Sequence, residues 1–375
     1  MRIAVPKESA ARETRVAATP ETVKKLVALG HSVTIERDAG RLSAIPDAAY
    51  QEAGARVAND WAATLDSAEL ILKVQAPDDT ELAAVGEGST VIALANPYRN
   101  PYLAAYAAKR LNLFAMELVP RTTRAQAMDV LSSQANIAGY KAVLLATEHY
   151  PRFIPMLMTA AGTVKPARVL ILGAGVAGLQ AIATAKRLGA VVEAFDVRPA
   201  AKEQVESLGG RFIEVPLNDA EKQQAETAGG YAREMSEDYK RRQSELVDKH
   251  ARQADIVITT ALIPGKPAPV LLKPETVAGM KPGSVVVDLA VEQGGNCPLS
   301  RLNEVVITDN GVKLVGFANL PGMVAADASS LYARNLLNFI ALLFDKEQRF
   351  VIDRSDDIVA ASLVTHQGEL LFKAG

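Results

Sequence analysis

The sequence predicts an α/β protein built as two doubly wound domains with a cleft between them, and three observations lead there. Short apolar, β-branched runs recur along the chain, separated by segments whose apolar residues fall at helical spacing. At 375 residues and 49% hydrophobic content, the chain exceeds the size at which a single core stops growing, so two cores are expected. A glycine-rich turn at residues 173–178 joins one such run to a helical pattern.

Taken in order, the runs at 2–5, 32–36, 69–74, 89–94 and 113–116 supply the strands of a first unit, residues 1–128. One helix between them is marked at both ends: Thr19 can cap it, Pro20 suits the first turn, Glu21 complements the dipole, and Gly30 allows a left-handed exit. A second series at 168–172, 191–196, 211–215, 255–260, 284–289 and 312–317 supplies six strands of a second unit, residues 129–319. Residues 331–344 then read as a helix and 358–372 as a hairpin around His366, Gln367 and Gly368. If they return to the first unit, that domain is discontinuous, 1–128 plus about 320–375. The stretch 216–254 is rich in Glu, Lys, Gln and Arg around Gly229, Gly230 and Tyr231. Its second half reads as a helix and its first half as a mobile segment; by charge alone it is a solvated insertion.

Composition narrows the function. The formal net charge of −2, from 41 basic and 43 acidic residues, leaves no electrostatic footprint for nucleic acid and no polybasic patch for lipid. Cys297, the single cysteine, excludes an internal disulfide and a thiolate-cluster metal site, so no metal is expected and a reducing compartment fits. The amino terminus runs into a strand rather than a secretory signal. The most apolar window, 336–344, is broken by Asn338 and closed by Asp345, Lys346 and Glu347, short of the ~20 residues a spanning helix needs. A cytoplasmic chain without direct membrane insertion is expected.

The strongest chemical signal is the run 168–172 leading into Gly173, Ala174, Gly175, Val176, Ala177 and Gly178 and then the helical pattern 179–188. Gly173 permits a tight turn, Gly175 lets backbone approach a pyrophosphate, and Gly178 allows close helix-on-strand packing. The helix N-terminus offers unpaired N–H groups and partial positive charge to phosphates. Asp196 ends the next strand, where a carboxylate can accept both ribose hydroxyls of an adenosine, which favours NAD over NADP. Arg198, beyond Val197, weakens that preference because an arginine can accommodate a 2′-phosphate. Thr259, Thr260, Ala261, Leu262, Ile263, Pro264 and Gly265 follow a strand at the edge where such sheets bind ligands, and either line the pocket or form an ordinary βα loop.

A dehydrogenase acting on an alcohol or amine must also move a proton, usually with His, Lys or Tyr. His31, His250 and His366 read as surface polar residues, and His149 falls in a linker before Pro151. Lys73, inside an apolar strand, needs a partner or a ligand. Residues 121–136 are crowded with hydrogen-bonding groups at the joint of the two units, where they would overlook the cleft. They could hold a carboxamide and ribose without a general base, or simply form a capped helix with a polar face.

Several segments together resemble one family, the NAD(H)-binding first component of proton-translocating transhydrogenases, within the larger group that includes alanine dehydrogenase. They are Arg15 to Pro20, Arg121 to Gly139, Gly173 to Lys186, Lys202 to Val205, Thr259 to Pro269 and Gly283 to Asn296, and the similarity spans almost the whole chain. Arg124, Ala125 and Gln126 with Asp129, Ser132 and Ser133 resemble the loop that separates transhydrogenases from alanine dehydrogenases. The resemblance implies two Rossmann-like domains, NAD(H) bound here and NADP(H) on a partner component. It also implies a homodimer, and attachment to the inner membrane through membrane-embedded subunits on separate chains, although a fragment of a fused chain would have the same sequence. It assigns Arg121, Gln126, Asp129 and Ser132 to the nicotinamide end, Asp196 to the adenosine ribose, and Gly229 and Tyr231 to a loop that closes over the nucleotide, in place of a solvated insertion. Arg15 and Lys73 match positions that hold the ketoacid in alanine dehydrogenase, whose catalytic histidine should fall in 91–97; that stretch has none. Hydride exchange between two nicotinamides needs no proton at the reacting carbons, so alignment replaces general acid–base catalysis. The alternatives are a self-sufficient amino-acid or ketoacid dehydrogenase and a nucleotide sensor without redox change.

Overall fold

The computed structural model describes residues 1–215, 237–263 and 265–373. Two compact units emerge, one made of Met1–Gln134 with Pro321–Gly375 and the other of Ala135–Leu320. The fold is mixed α/β with mainly parallel sheets, in the Rossmann-like manner expected.

In the first unit the strands are β1 (Arg2–Val5), β2 (Ser32–Glu36), β3 (Arg56–Ala58), β4 (Leu70–Gln75), β5 (Thr90–Leu94) and β6 (Asn112–Ala115). They pair in parallel in the spatial order β3-β2-β1-β4-β5-β6, the doubly wound order, with the switch point between β1 and β4. β4 and β5 are buried along almost their whole length and largely apolar, Lys73 being the charged exception, because helices cover both faces of such a sheet. Beyond β6 the sheet is extended by the antiparallel hairpin Leu363–His366 and Glu369–Leu370. Its turn residues Gln367 and Gly368 both have positive φ, 49° and 99°, as a two-residue hairpin requires.

The expected helix at 331–344 starts earlier, as Ala325–Ile340, with Tyr332, Leu336 and Phe339 facing the core of this unit. Residues 358–362, expected in the hairpin, instead belong to the helix Asp357–Ser362, because the Asp356 carboxylate accepts the N–H groups of Ile358 and Val359 and caps it. The helix near Thr19 runs Pro20–Ala28 with Gly30 in the left-handed region, as read, but Thr19 does not cap it through its side chain: its buried hydroxyl has no partner among the described residues, and its N–H donates instead to the Thr22 hydroxyl at 3.0 Å.

The second unit begins within the helix Val130–His149; an isolated hairpin follows, β7 (Leu157–Thr159) and β8 (Gly162–Val164), which sequence patterning does not reveal. Then come β9 (Arg168–Leu172), β10 (Val191–Phe195), β11 (Arg211–Phe212), β12 (Ile256–Thr259), β13 (Val285–Asp288), β14 (Val305–Ile307) and β15 (Lys313–Val315). The order β11-β10-β9-β12-β13-β15-β14 repeats the doubly wound plan, with β14 antiparallel and the switch point between β9 and β12. The run 211–215 forms only a two-residue strand, since Ile213 and Val215 turn into the core beneath the helix Glu237–Gln253. That helix is the expected second half of the charged insertion; Gly229, Gly230 and Tyr231 lie outside the described residues.

Among the described residues, no helix is long and apolar enough to cross a membrane.

Candidate functional site

The parallel register aligns the C-terminal ends of β10, β9 and β12 side by side, so the segments that follow these strands form one edge of the second unit. Gly173 leaves β9 with φ of 101°, and a Cβ there would lie 2.5 Å from the Thr260 hydroxyl. Thr260 in turn donates its hydroxyl to the Gly173 carbonyl at 3.0 Å and its N–H to the Leu172 carbonyl at 2.9 Å, tying the β12 exit to the turn. Gly178 sits so close that a Cβ would meet the Gly173 carbonyl oxygen at 1.9 Å. Gly175 differs: its φ is negative and a Cβ would meet nothing within 4 Å. It is the residue just before the helix Val176–Arg187, whose first N–H groups have no helical acceptor. Open space at Gly175 and dense packing at Gly173 and Gly178 is the arrangement a pyrophosphate against a helix N-terminus needs. The residues present therefore fit a dinucleotide.

Asp196 follows β10, nearly buried. It accepts the Ala174 N–H at 2.7 Å and the Arg198 N–H at 2.8 Å, and the Arg198 guanidinium donates to both its oxygens at 2.9 Å. Burial pushes the carboxyl up, but Arg198 and the two backbone donors outweigh it and hold Asp196 below the usual carboxylate range. Val176, Val197, Leu262 and Ile263 expose apolar side chains along the same edge. Ala174, Ala177, Thr260 and Ala261 complete the turn and the β12 exit.

In the first unit, residues 121–134 are positioned by the helix Ala325–Ile340. Ala125 and Met128 are buried in the core, while Asn335 and Asn338 donate to the Ala127 carbonyl at 2.8 and 3.2 Å. Arg124 forks onto Asp356 and also reaches Asp357, which holds the loop to the start of the helix Asp357–Ser362. Asp129 precedes the helix Val130–His149 and accepts the Ser132 N–H at 2.9 Å and its hydroxyl at 2.6 Å, as a residue capping the helix does. Gln126 and Arg121 are exposed, and neither side chain has a partner among the described residues.

Both cations noted in this unit are buried and already paired. Lys73 Nζ lies 2.8 Å from Glu81, 3.5 Å from Glu8 and 4.9 Å from the centre of the Trp61 ring. Arg15 forks onto Glu13 at 2.7 and 2.8 Å and reaches Gln134 at 2.9 Å. The loop after β1 and the strand β4 thus place a charged cluster at the switch point of this sheet, where the second unit has its glycine turn. Sequence reading found both cations but not the carboxylates.

The histidines depart from their expected setting. His31 is buried against the Phe344 ring, which lowers its pKa. His250 bonds Glu193 at 2.9 Å on the sheet, His366 bonds Asn112 at 2.8 Å, and His149 closes a helix rather than lying in a linker. At the end of β5, in the stretch 91–97 that contains no histidine, the N–H groups of Ala95 and Asn96 meet the half-buried Glu117 carboxylate.

Two parallel doubly wound sheets, one with a glycine turn feeding a helix N-terminus and a carboxylate ending the next strand, define a Rossmann-like protein of the dinucleotide-binding type. Comparison with known proteins gives the family. The chain belongs to the alanine dehydrogenase/PNT family, matching its N-terminal domain over residues 4–138 and its C-terminal domain over 142–373. It is 52% identical over 381 aligned residues to an NAD(P) transhydrogenase subunit alpha protein of Rhodospirillum rubrum, covering 100% of this chain and 98% of that protein. The crystal structure of a transhydrogenase from Sinorhizobium meliloti superimposes with a TM-score of 0.89 at 48% identity, covering 99% of this chain and 100% of the other. A structure of L-alanine dehydrogenase superimposes with a TM-score of 0.81 at 26% identity, covering 99% and 97%.

Proposed function

We propose that this chain is the NAD(H)-binding component of a proton-translocating transhydrogenase. It binds NAD(H) through the second unit and exchanges hydride with NADP(H) held by a partner component. The observation that carries the reading is the contrast at two strand ends. The glycine turn and Asp196 fit a dinucleotide, whereas the stretch 91–97 has no histidine to move a proton to a metabolite. The greater identity to transhydrogenase relatives, 52% and 48%, than to alanine dehydrogenases, 32% and 26% in the matching comparisons, supports the same choice.

A bound NAD(H) supplies the hydride chemistry. The chain's own groups bind and orient: Gly173, Ala174, Gly175, Val176, Ala177 and Gly178 present backbone to the pyrophosphate, and Asp196 with Val197 and Arg198 reads the adenosine ribose. Thr260, Ala261 and Leu262 line the nucleotide, while Gly229 and Tyr231 close a loop over it. Arg121, Gln126, Asp129 and Ser132 align the nicotinamide end, and none of them needs to titrate. The chain works as a homodimer, cytoplasmic and peripheral to the inner membrane, docked to membrane-embedded and NADP(H)-binding subunits, and is inactive in hydride exchange without them.

Calorimetric titration tests the nucleotide assignment. NADH binds at least about tenfold more tightly than NADPH, a difference of about 1.4 kcal/mol; equal affinities would remove Asp196 from the ribose.

A further inference from the structure

Behind the β12 exit lies a buried polar clamp that neither the motif nor the proposed site residues include. Asp288, at the end of β13, is 1% exposed and accepts four donors: the Thr259 hydroxyl at 3.1 Å and the N–H groups of Ala290 at 3.0 Å, Asn296 at 3.2 Å and Cys297 at 3.0 Å. Oδ1 takes three of these donors and Oδ2 the fourth, so the carboxylate is fixed from both oxygens by its own chain. Gly294 and Gly295, with φ of 95° and 79°, let the segment after β13 wrap around it.

Asn296, fully buried, projects from that wrap onto the neighbouring segment. Its Oδ1 accepts the Ala261 N–H at 3.1 Å, and its Nδ2 donates to the carbonyls of Ala261 at 2.9 Å and Pro269 at 2.8 Å. One carboxamide thus consumes both backbone groups of Ala261, as a strand partner would. The Ala261 N–H is thereby unavailable to a ligand, and the next two residues are apolar: Leu262 and Ile263, 47% and 43% exposed. Exposed leucine and isoleucine on a backbone pinned by a buried amide form a fixed ledge suited to a flat ring.

We propose that Asn296, held by Asp288, is a positioning residue that presents Leu262 to the bound nucleotide, so that the β12 exit recognises its ligand by apolar contact rather than by donation from the Ala261 N–H. This rests on the nucleotide-binding reading of the same edge. A buried amide whose partners lose it leaves one N–H and two carbonyls unsatisfied, and the ledge loses its fixed geometry.

The test is a double-mutant cycle on the intact chain, titrated with NADH: wild type, Leu262→Ala, Asn296→Ala and the pair. Each single substitution weakens binding by about tenfold, and the double variant is no weaker than about twofold beyond the worse single, because the two act through one contact. Asn296→Asp keeps the acceptor for Ala261 N–H but sets a carboxylate oxygen against two carbonyls; it gives the same non-additivity. Hydrogen exchange at the Ala261 amide, slow in wild type, quickens in both Asn296 variants. Independent, fully additive losses, or wild-type affinity in the Asn296 variants, would overturn the proposal while leaving the nucleotide site intact. Failure of both Asn296 variants to fold would overturn it in favour of a purely architectural role. A wild-type chain that does not bind NADH removes the underlying reading as well.

Discussion

The guanidinium of Arg198 donates to both oxygens of Asp196 at 2.9 Å, and the same carboxylate accepts the N–H groups of Ala174 and Arg198 at 2.7 and 2.8 Å. Every acceptor position of Asp196 is therefore occupied by its own chain. A ribose can reach the carboxylate only by displacing a donor, and the Arg198 side chain, 57% exposed, is the one that can leave without disturbing the turn.

Arg198→Ala should then leave NADH affinity unchanged or improved while NADPH binding weakens, because the cation that balances a 2′-phosphate is gone. Asp196→Ala should weaken NADH binding by roughly 1–3 kcal/mol through lost charge-assisted hydrogen bonds. Calorimetry with both nucleotides on both variants measures the change in preference; parallel losses for NADH and NADPH in Arg198→Ala contradict the displacement.

The glycine turn separates stability from binding. Gly175→Ala adds a methyl to open space, so Tm should move by less than about 2 °C while NADH affinity falls at least about tenfold as the methyl meets the pyrophosphate. Gly178→Ala drives a methyl against the Gly173 carbonyl and should lower Tm by about 5 °C or more. Thermal melts paired with NADH titration distinguish the two.

Gln126→Asn should depress hydride exchange, assayed with the partner component and both nucleotides, more than it weakens NADH binding. Shortening an exposed carboxamide by one methylene removes alignment and leaves the turn and Asp196 intact. Equal losses in rate and affinity would assign Gln126 to binding alone.

Burial pushes Glu8 from 4.5 up to about 7, against the lowering pull of Lys73 and the Val74 and Gln75 N–H groups. The native chain keeps a proton there that the unfolded chain releases. The stability linked to this group is therefore complete below 4.5 and is lost as pH rises towards about 7. Glu8→Gln should flatten that decline, seen as a smaller difference in Tm between about pH 5 and about pH 8 than in wild type. An unchanged slope would place the titration elsewhere.

Central strands were legible because a parallel sheet covered on both faces demands unbroken apolar runs: β1, β2 and β9 fall where the runs do, and β4, β5, β10, β12 and β13 within a residue at each end. Edge strands β3 and β14 bury little and span only three residues each, too short to stand out even though β14 is Val305, Val306 and Ile307. Ile358 and Val359 look like strand residues, and the Asp356 cap makes them helical; the small residues Ala325, Ala326 and Ala328 hide the true start of the helix before Tyr332. At the site, the glycine turn and Asp196 were readable from spacing alone. The clamp of Asp288 and Asn296 was not, since the partners that tie it to the β12 exit and to Pro269 lie 27 to 35 residues away, and the pair Gly294 and Gly295 was a faint local sign of it. The charged cluster around Lys73 announced itself by one misplaced cation, but naming Glu8 and Glu81 needed the fold.

Turnover of the purified chain reaches the central claim most directly. NADH is supplied with pyruvate and ammonia to the chain alone, and then with NADP to the chain joined by its NADP(H)-binding component. A transhydrogenase component leaves NADH unoxidised in the first mixture and exchanges hydride rapidly in the second. Steady oxidation of NADH by pyruvate and ammonia without any partner would contradict that claim.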